Sequence, residues 1–75
     1  MEGYIGEIRL FAGNFAPKHW RWCDGSNIKI TDHTALFSVI GSKDDVEFFR
    51  LPYIPDLQEG LKYVICVEGL YPQRS

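Results

Sequence analysis

Two stretches of apolar and polar alternation stand at opposite ends of this chain. Residues 4–11 put Tyr4, Gly6, Ile8 and Leu10 on one face, and Ile5, Glu7, Arg9 and Phe11 on the other. Residues 62–68 set Tyr63, Ile65 and Val67 against Val64, Cys66 and Glu68. Successive strand side chains point to opposite faces, so both stretches read as strands. The chain has 75 residues, half of the ~150-residue prior for a domain, so residues 1–75 are expected to form a single domain. A chain this short buries only about 60% of its extended surface. It cannot leave two apolar strands apart, and the terminal stretches are expected in one sheet.

Between them the chain is punctuated by turn residues. Ala12-Gly13-Asn14-Phe15-Ala16-Pro17 breaks the first strand, since Gly13 and Asn14 tolerate positive φ and Pro17 turns Ala16 away from helix. Trp20-Arg21-Trp22-Cys23 and Asn27-Ile28-Lys29-Ile30 alternate again, and the intervening Asp24-Gly25-Ser26 predicts a tight hairpin. Trp20 and Trp22 share one face of it. Ala35, Leu36, Val39 and Ile40 recur at helical spacing, Thr31 or Asp32 can cap, and Gly41 sits at a C′ position, which predicts a short helix over residues 32–40. Residues 42–47 are polar and read as a solvated loop. Leu51-Pro52-Tyr53-Ile54-Pro55-Asp56-Leu57 carries prolines three apart, incompatible with a helix or a central strand, and reads as an extended packed loop. Gly69-Leu70-Tyr71-Pro72 ends the last strand, and residues 73–75 read as a frayed tail. The expected fold class is α+β: a small, mainly antiparallel sheet, one short helix and long packed loops. Trp22, Cys23 and Leu36 are expected in its core.

Composition excludes several function classes. Apolar residues make up 45% and charged residues 24%, too hydrophobic and too weakly charged for a disordered tail. The net charge is −2 and the basic residues are scattered, which argues against nucleic acid as a partner. Tyr63-Val64-Ile65-Cys66-Val67 is the longest apolar run, far short of the ~20 residues of a membrane helix, so no membrane insertion is expected. The first ten residues include Glu2, Glu7 and Arg9 and no apolar core segment; no signal peptide is readable, and synthesis in the cytoplasm is expected.

Candidate chemistry is sparse. His19, Cys23, His33 and Cys66 are the residues a metal would use, but no Cys-x-x-Cys or His-x-His pair occurs. A Cys23 nucleophile with His33 and Asp24 or Asp56 needs an exposed thiolate, and Cys23 follows Trp22 into a turn where burial is expected. Asp44-Asp45-Val46-Glu47 lacks the glycine and ligand spacing of a calcium loop. No phosphate loop or Gly-x-Ser-x-Gly elbow is present. No cofactor, no metal and no catalysis are expected, and the two cysteines are expected as reduced thiols. The eleven aromatic residues exceed what a small core easily encloses, so some are expected at an interface.

Ile5-Gly6-Glu7-Ile8, Phe11-Ala12-Gly13-Asn14-Phe15-Ala16-Pro17 and Trp20 followed by Cys23-Asp24-Gly25 resemble the opening of the phage tail collar domain family. That family includes bacterial proteins called microcystin-dependent proteins. The likeness runs on through Ile30, Ala35-Leu36-Phe37-Ser38-Val39-Ile40-Gly41, Phe49-Arg50-Leu51-Pro52 and Pro55-Asp56-Leu57, about residues 4 to 60, and residues 63–72 resemble the closing segment of longer members. Missing is the long insertion that holds the receptor-facing region in similar tail fibres. The chain also departs from the family in residues 42–47, where a Gly-Gly-Asp-Gly loop is usual, in Tyr53-Ile54, in Gln58-Glu59-Gly60 in place of Arg-Gly-Arg, and in His19 at a usual glycine position.

The resemblance implies a non-catalytic structural or adaptor module of a phage tail or phage-tail-like particle, located in the virion tail or that particle. It implies a homo-oligomer, trimer first, that meets other tail or fibre proteins. Tyr53, Ile54, Leu70, Tyr71 and Pro72 are the candidates for subunit contacts. Phe15, Lys18, His19, Asp44 and Asp45 are the candidates in partner or receptor loops. The alternative is a free-standing bacterial module that binds a small ligand, a sugar or a protein through exposed aromatics.

Overall fold

A computed structural model describes residues 1–41 and 47–73. Along the chain run β1 (Ile8–Ala12), β2 (Trp20–Trp22), β3 (Asn27–Lys29), α1 (Thr34–Ile40), β4 (Phe48–Arg50) and β5 (Leu61–Cys66). The strands form two antiparallel sheets, β1-β5-β2 and β3-β4. The expected α+β class, with small antiparallel sheets and one short helix, is what the chain adopts.

The terminal strands do meet, in a register from Ile8↔Ile65 to Ala12↔Leu61. β5 also pairs with β2, from Trp20↔Cys66 to Trp22↔Val64, so the last strand is the central one. Its alternation divides two cores. Ile65 and Val67 pack with Ile5, Cys23, Ile28, Leu36, Phe49 and Leu51. Val64 and Cys66 pack with Trp20, against partly buried Phe11, Ala16 and Trp22. A strand buried on both faces needs apolar residues at every position, which explains the unbroken run through Val67.

The ends of the chain are tied beside that strand. Ile5 N–H donates to Leu70 O at 2.8 Å, Leu70 N–H to Gly3 O at 3.1 Å, and Gly6 N–H to Cys66 O at 2.9 Å. A Cβ on Gly69 would stand 2.3 Å from Gly3 O, so only glycine admits this approach.

Four expectations are corrected. The hairpin across Asp24-Gly25-Ser26 does not form: β2 joins β5, while β3 joins β4 in the other sheet. Asp24 Oδ1 accepts from Ser26 N–H at 3.0 Å, and Gly25 adopts φ 76°. This local turn sends the chain out of the first sheet. Cys23 cannot pair with β3 because its N–H donates to Tyr63 O and its carbonyl accepts from Ile54 N–H, both at 3.0 Å.

The first strand starts at Ile8, because residues 4–7 form a turn in which Glu7 N–H donates to Tyr4 O and Tyr4 N–H to Glu7 Oε1. Its Ile8 and Leu10 face stays open, at 41% and 43% exposure, while Arg9 and Phe11 lie against Trp20 and Trp22. The helix begins at Thr34, not Asp32; a turn with Asp32 N–H on Lys29 O and His33 N–H on Ile30 O uses up both expected caps. Gly41 does close it, at φ 76°, donating to Phe37 O at 2.7 Å. Trp22 is half-buried, and the buried tryptophan is Trp20, whose indole N–H donates to Met1 O at 2.9 Å. Cys23 and Leu36 are in the core as expected.

Candidate functional site

A cleft of about 350 Å³ opens between the β2 and β5 strands of the first sheet and the proline-rich loop. Trp22 ends β2 on one side of it, Lys62 and Tyr63 come from β5, and the proline-rich loop supplies Tyr53 and Asp56. Asp24, just past β2, completes the wall. That loop is extended as expected, and backbone contacts hold it: Asp24 bridges Tyr53, Gly25 N–H donates to Pro52 O at 3.3 Å, and Leu51 N–H to Ser26 O at 2.9 Å. Tyr53 is nevertheless 70% exposed. Lys62 Nζ lies 5.3 Å from the Trp22 ring centroid, a cation–π contact. The bond from Ser26 holds the Asp24 carboxyl below the ordinary carboxylate range. A second depression, about 290 Å³, lies beside Trp22 and Asp24 and reaches Trp20 and Arg21.

Burial in the floor of the cleft, helped by the Asp24 charge, pushes the Cys23 thiol up to about 11. Such a thiol is protonated at neutral pH and is a poor nucleophile. Cys66 is also raised by burial, its Sγ donating to Glu68 O at 3.2 Å. The metal candidates do not converge. His19 Nε2 faces Glu68 Oε2 at 3.4 Å, His33 is the N-cap of α1, and the two cysteines, both free, belong to different cores. Among the described residues no group of three His, Cys, Asp or Glu side chains is placed to hold a metal.

The candidates for subunit contact fall in two places. Tyr53 and Ile54 line the cleft. Leu70 and Tyr71 lie at the joined termini: Leu70 bridges Tyr4, and the Tyr71 hydroxyl is 2.6 Å from Ser38 Oγ on α1. Because Ser38 donates to Ala35 O, its oxygen accepts from Tyr71. Val39 of the same helix stands against Gly6. Tyr4, Val39, Leu70 and Tyr71 are all exposed, and Pro72 is half-buried. Alternation along residues 4–11 did not find the Tyr4 and Val39 part of this surface, since it arises from a turn and a helix that only the fold brings together. Among the loop candidates, Phe15 is 82% exposed and Lys18 and His19 are exposed, while Asp44 and Asp45 lie outside the described residues.

His19 has φ 72°, and its carbonyl accepts from both Val67 and Glu68 N–H. A family model described as Phage Tail Collar Domain matches residues 6–60. The chain belongs to the phage tail collar domain family. His19 thus holds a left-handed backbone conformation of the kind that ordinarily favours glycine. The collar match ends one residue before β5 begins, so the central strand lies outside it. No curated protein and no solved structure matches the chain. Among the described residues no helix is long and apolar enough to cross a membrane.

Proposed function

We propose that this chain is a non-catalytic structural or adaptor module of a phage tail or phage-tail-like particle, where it works as a homo-oligomer, trimer first, and joins other tail or fibre proteins. The observation that carries the reading is the collar match over residues 6–60. A neutral Cys23 thiol supports a role without cysteine-dependent catalysis.

The exposed apolar side chains of Tyr4, Val39, Leu70 and Tyr71 support self-association, since contiguous apolar surface marks contact sites and a chain this small gains core by association. Phe15, Lys18 and His19 are the proposed contacts with neighbouring tail proteins. The test is sedimentation at micromolar concentration of the wild type and of Leu70→Ser and Tyr71→Ser, with circular dichroism to confirm that the variants fold. An oligomeric wild type and lighter variants are expected. A wild type that is monomeric across the concentration range overturns the assembly reading, and folded variants of full mass overturn the proposed surface.

A further inference from the structure

The cleft beside β2 has a composition that restricts what it can hold. Its volume, about 350 Å³, is at the small end of ligand clefts and suits one sugar-sized ring. Its walls carry two carboxylates, Asp24 and Asp56, and one ammonium, Lys62. A cation would meet Lys62, which already occupies a face of Trp22. An anion would meet the two carboxylates. A wholly apolar ligand would strip water from three charged groups and return no hydrogen bonds. A neutral ring rich in hydroxyls fits all three: its O–H groups donate to the carboxylates and accept from the ammonium.

The aromatic wall supplies the other half of such recognition. Tyr53 is mostly exposed, yet it is held by a loop with prolines on both sides and by backbone bonds to residues 23–26. An aromatic ring kept open to water on a fixed backbone is preorganised to stack on the C–H face of a ligand, with little entropy left to lose. Asp24 is fixed in the same way by its bond from Ser26 N–H.

We propose that this cleft binds a neutral carbohydrate ring, stacked on Tyr53 and hydrogen-bonded by Asp24, Asp56 and Lys62. The test titrates the full 15N-labelled chain with methyl α-glucopyranoside, methyl β-galactopyranoside and methyl N-acetyl-β-glucosaminide, with tetramethylammonium and glucuronate as charged comparisons. For at least one glycoside, saturable millimolar shifts are expected at the Trp22 indole N–H and at the Tyr53 and Lys62 amides. Tyr53→Ala and Asp56→Asn should each weaken binding by about tenfold or more. Asp24→Asn keeps the acceptor for Ser26 and offers a third, conservative variant. Tyr71→Ser should bind as wild type.

No saturable shift with any glycoside up to about 100 mM overturns the proposal. So does tighter binding of a charged probe in the cleft, or binding that Asp56→Asn and Asp24→Asn leave intact. The proposal stands apart from the assembly reading: loss of glycoside binding leaves the sedimentation result unchanged, and a monomeric chain can still bind.

Discussion

At the scale of single residues, burial sets behaviour that composition only hints at. Cys23 is a thiol held neutral by its surroundings, from an ordinary 9.0 to about 11. A group whose folded pKa is raised contributes stability that is complete below its unfolded pKa and is lost as pH climbs to the folded one. Stability should therefore fall between about pH 9 and pH 11, by on the order of 1–2 kcal/mol from this group. Cys23→Ala should remove that part of the alkaline slope in urea denaturation measured across the range; an unchanged slope would refute the assignment. Trp20 and Trp22 provide a second residue-scale test. Both lie on one face of β2, as alternation predicts, but alternation cannot tell which ring is covered. Cover comes from distant partners: Trp20 lies under Arg9 and bonds Met1, while Trp22 lines the cleft. Trp20→Ala should cost about 3–5 kcal/mol and Trp22→Ala clearly less, by chemical denaturation. Equal losses would place the two rings in equivalent surroundings and contradict the structure.

At the scale of elements, period-two patterning located β1, β2, β3 and β5 and the helical spacing located α1, because both follow from local geometry, whereas β4 at Phe48–Arg50 was not read from the sequence. Partners were less legible. Asp24-Gly25 is a strong hairpin signal, and here the same Asp side chain caps a turn that leads β3 into another sheet. A turn motif specifies a change of direction, while the neighbour is chosen by which strand can bury the face presented to it. The cleft inherits this limit. Its residues come from β2, β5 and the proline-rich loop, and their meeting depends on the central position of β5. Tyr53 was legible as an aromatic on a rigid loop; its meeting with Asp24 and Lys62 in one cleft was not. The turn between that loop and β5 carries an element-scale prediction. Leu61 N–H donates to Gln58 O, Gly60 has φ 80°, and residues 57–60 are exposed. A ten-residue Gly/Ser segment placed between Glu59 and Gly60 should cost only about 1–2 kcal/mol, since closure entropy grows slowly with loop length. The same segment between Asp24 and Gly25, where backbone bonds tie the turn to Leu51 and Pro52, should cost more. Denaturant midpoints of the two insertions compare them directly, and a more damaging insertion at Glu59 would show that the turn is a structural element in its own right.

At the scale of the whole molecule, the boundary of the family match and the boundary of the folded unit differ. The match stops at residue 60, but β5 starts at Leu61, pairs with β1 and β2, and contributes side chains to both cores. Without it, β1 and β2 have no common neighbour, because neither pairs with the other. The N-terminal residues lose Leu70 and Cys66 as backbone partners, and Trp20 loses Val64 and Cys66 from its pocket. Folding stability is a small difference of about 5–15 kcal/mol between large terms, and removal of the strand shared by two cores exceeds any such margin. A chain cut after Gly60 should therefore be unfolded, with collapsed amide dispersion in its NMR spectrum and no cooperative thermal transition. A separate peptide of residues 61–75 added in excess should restore dispersion, because it returns both ladders and both sets of buried side chains. A truncated chain that shows native-like dispersion alone would mean that the matched segment is self-sufficient and that β5 merely docks on it.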